Sequence, residues 1–407
     1  MKVLVLNCGS SSLKFQLIET DAQRIESETE EILADGQVEK IGQAESIIGY
    51  KNHKGDKIKE NHVVLEHSTA VEVLLDYLTN VKHGVIRDIH EIEAVGHRVV
   101  HGGEAFSESA IITKEVLDQI RACVSLAPLH NPPNILGYEV ASEKLPDIPH
   151  VAVFDTAFHQ TMPDYAYIYA LPYSLYERFG IRRYGFHGSS HRYVVQRLAK
   201  LTGQPVNELN AITIHVGNGC SMAAIRNGQS VDTSMGMTPL EGLVMGTRAG
   251  DIDPAIILFL MEQEDLEISQ ANNLLNKHSG ALGVSGLSND MREVEDAMET
   301  NEKARLAVDI YSYRIRKYIG AYAAALGKVD HIIFTAGVGQ NSDIVRRQTC
   351  SNLECLGIEL SEELNLSLNR KEGVISTENS RVKIWIIPTN EEIVIARDTM
   401  ECVANNS

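Results

Sequence analysis

The sequence predicts an α/β protein built from two related domains, and three observations support this fold class. Short runs rich in Val and Ile alternate with segments of helical periodicity, which is the pattern of layered sheets and helices. The chain has 407 residues, which exceeds the usual size of one hydrophobic core. One strand–loop–strand pattern also occurs twice along the chain, so the two domains are expected to be related.

Six apolar runs are expected to form strands, because each is β-branched and ends in a loop of small residues. They are KVLVLN from residue 2, EAVGHRVV from 93, HVAVFDT from 150, AITIHVGNG from 211, HIIFTAGVG from 331 and IWIIPTNEE from 384. The charged stretch from about residue 19 to 62 has the composition of surface hairpins and turns.

Two segments between these runs have helical periodicity. Residues 68–80 begin with Ser68 as a candidate N-cap, and their apolar residues share one face. That face consists of Val71, Leu74, Leu75 and Leu78. Residues 301–326 form a second, longer segment and predict one long helix.

The internal repeat relates VLVLNCGSSSLKFQLI near the N-terminus to AITIHVGNGCSMAAIRNG from residue 211. In this alignment Asn7 is level with Val216, and Ser12 is level with Ser221. Each copy reads as strand, small-residue loop and strand, so each domain is predicted to contribute one hairpin loop.

Charge and cysteine content exclude several classes of protein. The net charge of −18 opposes sequence-independent binding to nucleic acid or to an anionic membrane. The six cysteines form no CxxC pair, so reduced thiols in a cytoplasmic enzyme are expected. The first residues contain too few apolar positions for a signal peptide, and the longest apolar run, AIILFLM from 255, is far below the ~20 residues that span a bilayer. No membrane partner is expected.

The loop GSSS at residues 9–12 has the composition of a phosphate site. A tight Gly/Ser turn exposes backbone N–H groups and adds hydroxyl donors, and Lys14 follows with a full charge. An ordinary hairpin turn explains the same letters equally well. The sequence contains neither GxxxxGK[ST] nor GxGxxG between a strand and a helix, so a bound nucleotide would be held in another way.

Eight short blocks resemble those of the acetate kinase family, in the family's order and along almost the whole chain. They are NCGSSSLKFQL, GHRVVHGG, FDTAFH, RRYGFHGSSH, HVGNGCS, MGTRAGDIDP, FTAGVGQNS and IPTNEEIVIARDT. The resemblance implies the actin-like ATPase fold, of ribonuclease H-like type, with an active-site cleft between the domains. It also implies reversible transfer of a phosphoryl group from ATP to acetate, which gives ADP and acetyl phosphate, an intermediate of acetyl-CoA biosynthesis.

The catalytic residues follow from the resemblance. Arg98 and Arg248 are implied to approach the carboxylate and the transferring phosphoryl group, and His187 is implied to stabilise its equatorial oxygens. Guanidinium groups suit this role because their planar fork matches carboxylate and phosphate oxygens and keeps its charge. Asp155 is implied as an acid/base or as an orienter of an arginine or of the metal. Acetate is already an anion at neutral pH and needs no base.

His187 and His191 are four residues apart, a spacing that also occurs in zinc sites. The sequence has no HExxH context, and GSS separates the two rings, which argues against a metal here. His191 is instead expected to be a structural or helix-capping residue.

Magnesium is the implied cofactor, with Mn²⁺ as a possible substitute, and ATP/ADP is the co-substrate. The resemblance assigns Asn7 and Glu391 to the metal, and the choice between Glu391 and Glu392 stays open. For the nucleotide it implies Ser10, Ser12, Lys14, His215, Val216, Gly217, Asn218, Gly219, Asp290, Met291, Arg292, Gly337, Val338, Gly339, Gln340 and Asn341.

The implied lining of the acetate methyl pocket is Val100, Leu129, Phe186 and Pro239. Such residues are more often plain core. Valine at 100, rather than a smaller residue, favours acetate over propionate. The chain departs from the family at Cys8 and Cys220, where Ala is common, at Ser189 for Thr, and at Gln340 for Glu. Cys8 adjoins the phosphate loop but is expected to be an inert buried thiol.

The expected domains are 1–154 with 390–407, and 155–389, with the last helix returning to the first domain. A homodimer is expected by resemblance. Two alternatives remain: a propionate kinase with the same mechanism, and an ATP-dependent binding module of the actin or chaperone type.

Overall fold

The computed structural model describes residues 1–406. They form two compact units, which are Met1–Ala157 together with the chain from Asn390 onwards, and Phe158–Thr389. The chain passes from the first unit into the second after Ala157, so Asp155 belongs to the first unit.

The sheet of the first unit has eight strands in the order β5-β4-β3-β2-β1-β6-β8-β7. The strands are β1 (Lys2–Gly9), β2 (Ser12–Glu19), β3 (Glu31–Glu39), β4 (Ser46–Asn52), β5 (Lys57–His62), β6 (Ala94–Val99), β7 (Ala110–Ile111) and β8 (His150–Phe154). Strands β1 to β5 are antiparallel neighbours, whereas β1, β6 and β8 are parallel.

The sheet of the second unit has six strands in the order β11-β10-β9-β12-β14-β13. They are β9 (Ala211–Val216), β10 (Cys220–Arg226), β11 (Gln229–Thr233), β12 (His331–Thr335), β13 (Gly373–Val374) and β14 (Lys383–Ile386). Strands β9 to β11 are antiparallel neighbours, and β9, β12 and β14 are parallel. Five strands in each sheet therefore share one order and one set of directions, which confirms the predicted internal repeat.

The helices are α1 (Ala22–Ser27), α2 (His67–Thr79), α3 (Lys114–Ala122), α4 (Asn131–Lys144), α5 (Asp164–Tyr167), α6 (Tyr173–Phe179), α7 (Gly188–Thr202), α8 (Ala255–Gln263), α9 (Ile268–Lys277), α10 (Gly280–Ser285), α11 (Met291–Asp296), α12 (Glu302–Leu326), α13 (Ala336–Asn341), α14 (Asp343–Cys350), α15 (Glu362–Ser367) and α16 (Glu391–Asn405). The predicted long helix is α12, and the side chain of Asn301 caps its first turn.

Helix α2 buries its predicted apolar face in the core of the first unit. The predicted cap was wrong, because the N-cap is Glu66 and the hydroxyl of Ser68 instead donates to the Glu66 carboxylate at 3.3 Å. The stretch from 19 to 62 is also more than surface turns: Val38, Ile48 and Tyr50 on β3 and β4 are buried in the same core.

The last helix, α16, packs on the sheet of the first unit. Gly96 on β6 makes room for it, since a Cβ there would lie 2.4 Å from Thr399 Oγ1 and 2.6 Å from Ile395 Cγ2. Arg397 forms an ion pair with Glu30, whose side chain is 3% exposed. These contacts tie the end of the chain to strands formed at its beginning.

Among residues 1–406, no helix combines the length and the apolar character needed to cross a bilayer. All six cysteines are free thiols, as expected.

Candidate active site

In the first unit, Arg98 and Asp155 form a bidentate ion pair. Arg98 lies near the end of β6, and Asp155 follows directly after the neighbouring parallel strand β8. Arg98 Nε donates to Asp155 Oδ1 at 3.0 Å and Nη2 donates to Oδ2 at 2.7 Å. The Asp155 side chain is 2% exposed and the Arg98 side chain 19%. Burial opposes the charge of Arg98, but the carboxylates of Asp155 and Glu391 outweigh it and raise its pKa. The guanidinium of Arg98 is therefore permanently charged, and Asp155 occupies only its Nε–Nη2 edge.

The loop after β6 is fixed by side chains from neighbouring segments. The backbone N–H of Val100 donates to Asn134 Oδ1 at 3.0 Å, and that of His101 donates to Asn131 Oδ1 at 3.1 Å. Both asparagines belong to the start of α4. Val100 is 9% exposed, whereas Leu129, just before α4, is 51% exposed. The backbone around Arg98 is thus held rigidly by amide groups that the sequence analysis did not single out.

The hairpin between β1 and β2 carries the first predicted phosphate loop. Gly9 pairs with Ser12, which leaves Ser10 exposed at the turn, and Asn7 pairs with Lys14 further along the ladder. Cys8 is buried, and burial raises the pKa of its thiol to about 12. The expected inert thiol fits this environment.

Glu391 and Glu392 occupy the first turn of α16, where Asn390 caps the helix by accepting from the Ile393 N–H at 3.1 Å. Glu391 Oε1 is buried and has no hydrogen-bond partner among the described residues. Burial raises the pKa of Glu391, while the charges of Arg98 and Lys14 act in the opposite direction. Glu392 lines a separate groove of about 470 Å³ along β2 to β5. An orphaned carboxylate oxygen fits a hard cation such as Mg²⁺, and only Glu391 presents one.

In the second unit, His187 is the N-cap of α7 and has a left-handed backbone with φ of 56°. Its ring stacks on His215 with 4.1 Å between centroids, and its Nδ1 lies 2.9 Å from Ser221 Oγ. A non-glycine residue in this conformation is unusual and is held by its surroundings. The ring is therefore fixed on one face and on one edge.

Arg248 is a partly buried cation that forms no ion pair with the described residues. Its Nη1 donates to the Pro239 carbonyl at 3.2 Å and approaches Met245 Sδ at 3.9 Å. Burial lowers its pKa, but a guanidinium keeps its proton in proteins. A Cβ built on Gly219 would lie 3.5 Å from His187 Nε2 and 3.6 Å from Arg248 Nη1. Both nitrogen atoms thus reach the same small volume above this glycine, where the charge of Arg248 suits an anionic oxygen.

Three of the predicted nucleotide segments line one cavity of about 540 Å³ in the second unit. Eight predicted residues contribute to its wall: Gly217, Asn218, Asp290, Met291, Arg292, Gly337, Val338 and Asn341. The predicted His215, Val216, Gly219, Gly339 and Gln340 are not part of this lining. Ser10, Ser12 and Lys14 belong to the first unit.

Sequence reasoning missed four residues of this wall: Asn289, Glu295, Ser342 and Arg370. Asn289 and Ser342 directly adjoin predicted segments, so wider motif borders would have included them. Arg370 follows α15, and its N–H donates to the Gln340 carbonyl at 2.9 Å. No local motif marks Arg370, since only the tertiary fold brings it to this wall.

The remaining predicted positions lie close to these groups. Phe186 is 1% exposed beside His187, and Pro239 contacts Arg248 through its carbonyl. His191 lies in the first turn of α7 and is structural rather than capping, because its ring bonds Thr213 and Ser221. No cluster of three or more His, Cys, Asp or Glu suitable for a metal occurs within residues 1–406.

The chain closely resembles known kinases of small carboxylic acids. A sequence model of the Acetokinase family matches residues 2–397. The acetate kinases of Carboxydothermus hydrogenoformans and Halothermothrix orenii are 53% and 54% identical, over 100% and 99% of this chain and 100% of their own.

Solved structures agree with these matches. The acetate kinase of Porphyromonas gingivalis superposes with a TM-score of 0.93 at 49% identity over 99% of both chains. A propionate kinase from Francisella tularensis superposes with a TM-score of 0.90 at 42% identity, over 98% of this chain and 99% of its own. With its duplicated sheet and its two groups of cationic side chains, the chain belongs to the acetokinase family, phosphotransferases with a carboxyl group as acceptor.

Proposed function

We propose that the protein is an acetate kinase that catalyses ATP + acetate ⇌ ADP + acetyl phosphate. The observation that carries the proposal is the partly buried guanidinium of Arg248, which forms no ion pair with the described residues and meets His187 Nε2 above Gly219. A partly buried cation without a counter-ion provides a binding site for an anion during function. Relatives named acetate kinase that match nearly the whole chain support the choice of acceptor.

The proposed chemistry is a direct in-line transfer. A carboxylate oxygen of acetate attacks the γ-phosphorus, the bond to the β–γ bridging oxygen breaks, and ADP leaves with that electron pair. Such a transfer needs positioning and neutralisation of charge more than covalent help. Arg248 and His187 would donate to the equatorial oxygens. Arg98 would hold the acetate carboxylate with the edge of its fork that Asp155 leaves open.

Asp155 is assigned as an orienter of Arg98 rather than as a base. Both of its oxygens accept hydrogen bonds from Arg98. A carboxylate engaged in this way fixes the guanidinium plane, and acetate carries no proton for a base to remove at neutral pH.

Glu391 and Asn7 would hold Mg²⁺, or Mn²⁺ in its place, with water and phosphate oxygens completing the shell. The bound metal would neutralise phosphate charge. The orphaned Oε1 of Glu391 supports this assignment over Glu392. The cavity of about 540 Å³ in the second unit would receive the nucleotide.

The main alternative, a propionate kinase, differs from an acetate kinase only in the carboxylic acid that accepts the phosphoryl group. Val100, Leu129, Phe186 and Pro239 stay assigned to the methyl end of acetate by resemblance, and the propionate kinase similarity keeps propionate as the competing substrate. One methylene in an apolar pocket changes kcat/KM by about 10- to 200-fold.

The test is formation of acyl hydroxamate from ATP, Mg²⁺ and hydroxylamine, with acetate and propionate in parallel. We expect kcat/KM for acetate to be at least about tenfold above that for propionate. A propionate preference would overturn the substrate and keep the mechanism. ATP binding without product from either acid would favour the binding module of the actin or chaperone type.

We also propose a homodimer in the cytoplasm. Helix α8 (AIILFLMEQ) is largely apolar, yet none of its residues is buried, and Leu258 and Phe259 are 71% and 60% exposed. A second copy of the chain would cover this face. Light scattering should give twice the mass of 44.9 kDa, and Leu258→Asp should give the monomer mass. Six free thiols without a disulfide framework support a reducing compartment.

A further inference from the structure

A chain of buried hydrogen bonds lies behind His187. Thr213 Oγ1 is 2.7 Å from His191 Nδ1, His191 Nε2 is 2.8 Å from Ser221 Oγ, and Ser221 Oγ is 2.9 Å from His187 Nδ1. Thr213, His191 and Ser221 are all 0% exposed. We call these three residues the relay.

The relay has only two consistent arrangements of its protons. Burial lowers the pKa of His191 well below its usual value, and the nearby His159 and His215 act in the same direction. His191 is therefore neutral and has a single ring N–H, and each hydroxyl has a single proton. If Ser221 instead accepted from both rings, its own buried proton would have no acceptor, because the described residues offer Ser221 Oγ no contact besides His187 and His191. All three hydrogen bonds therefore either point towards His187 or point away from it.

The surroundings of Thr213 distinguish the two arrangements. If the bonds point away from His187, Thr213 accepts from His191 and must donate its own proton to the Ala223 carbonyl, which lies 3.5 Å away. If they point towards His187, Thr213 donates to His191 at 2.7 Å. A hydroxyl donor bond has its usual length near 2.7–2.8 Å and is very weak at 3.5 Å. The geometry favours the arrangement in which protons point towards His187.

We propose that Thr213, His191 and Ser221 are positioning residues that keep His187 in its Nε2–H tautomer. Ser221 donates to Nδ1, so the single ring proton of His187 is on Nε2, the atom that reaches the volume above Gly219 beside Arg248. His187 then donates a hydrogen bond to an anionic oxygen without first having to be protonated. The opposite tautomer would turn a lone pair towards that oxygen.

The expected effect on turnover rests on the proposed function, whereas the tautomer of His187 does not. The tautomer is a property of the free protein, whereas turnover requires that the protein transfer a phosphoryl group. Loss of a hydrogen-bonding partner behind a metal-ligating histidine typically costs about 10- to 100-fold in activity, and we expect a loss of the same order here. This loss of activity should appear in kcat. The KM values for ATP and acetate should stay nearly unchanged, because the substrate contacts stay in place.

The first experiment is NMR of the full chain labelled with ¹⁵N-histidine, in which two-bond ¹H–¹⁵N couplings distinguish Nε2–H from Nδ1–H rings. His187→Gln identifies the resonances of His187. We expect the Nε2–H form in the parent, and a mixture or the Nδ1–H form in Ser221→Ala. Ser230→Ala is the matched control, because it removes another buried Ser–His bond, 2.7 Å to His159, outside the relay; the tautomer of His187 should not change in it.

The second experiment is kinetic. Ser221→Ala and His191→Leu should lower kcat about 10- to 100-fold, and His191→Gln, which keeps an N–H donor towards Ser221, should recover part of the loss. An Nδ1–H form of His187 in the parent, or an unchanged kcat and tautomer in Ser221→Ala, would overturn the proposal. A parent protein with the Nε2–H form but no acyl-phosphate activity would instead overturn the proposed function and leave the tautomer assignment intact.

Discussion

Replacing Arg98 with alanine should destabilise the first unit as well as impair turnover. Both oxygens of Asp155 accept from Arg98, and the Asp155 side chain is 2% exposed. Removing one partner of a buried ion pair leaves the other charge uncompensated and costs about 3–5 kcal/mol. Because Arg98 itself is 19% exposed, water can partly replace it, so we expect a loss of about 3 kcal/mol.

Urea unfolding at pH 7 followed by two probes tests this value. The only tryptophan, Trp385, lies on β14 of the second unit, so its fluorescence reports that unit, whereas far-UV circular dichroism reports both. We expect the circular-dichroism transition of Arg98→Ala to begin at lower urea, with little change in the fluorescence transition. Removing the second charge as well, in Arg98→Ala/Asp155→Ala, should recover part of the loss.

Arg248→Ala is the matched comparison. Arg248 forms no ion pair with the described residues, so its removal leaves no carboxylate without its partner. Its free energy of unfolding should stay close to that of the parent. Equal stabilities of Arg98→Ala and Arg248→Ala, or a double variant less stable than Arg98→Ala alone, would refute the reasoning on the buried pair.

Three further predictions concern the reacting groups. Arg248→Ala should lower kcat about 10²- to 10³-fold with an unchanged circular-dichroism spectrum, as for loss of a donor to transition-state charge; near-normal turnover would remove Arg248 from the mechanism. Burial raises the pKa of Glu391, so its ionisation disfavours folding increasingly as the pH rises above the unfolded-state value. Glu391→Gln should therefore be more stable than the parent at pH 8 but not at pH 4, and should lose the Mg²⁺-induced rise in melting temperature; equal stability differences at both pH values would contradict this. Because burial raises the pKa of Cys8 to about 12, iodoacetamide at pH 8 should label exposed Cys355 and leave Cys8 and the activity intact, as peptide mapping can check.

The fold could be predicted from the sequence because its signals are local. The six β-branched runs each became a strand, and the repeat that aligns Ser12 with Ser221 led directly to two sheets of the same order. The start of α2 was misplaced because Ser68 is a good cap by residue type, yet Glu66 occupies the N-cap.

The site could be predicted only where it depends on continuous motifs. The segments HVGNG, DMR and GVGQN were identified because each is short and contiguous, and all three contribute to the wall of one cavity. Arg370 and the relay partner Thr213 were missed, since their neighbours come from distant parts of the chain. The choice between Glu391 and Glu392 depends on burial and hydrogen bonding. The sequence cannot show these for two adjacent residues of the same type.

The way α16 packs on β6 has a consequence for synthesis of the protein. The second unit, Phe158–Thr389, is one continuous piece of chain, whereas the first unit needs residues from Asn390 onwards to cover Gly96 and to pair Arg397 with Glu30. Domains begin to fold while the chain is still being made. A ribosome that stops before Asn390 therefore releases a chain with every residue of the nucleotide cavity but without Glu391, so premature termination should yield a protein that retains the cavity and lacks a complete first unit.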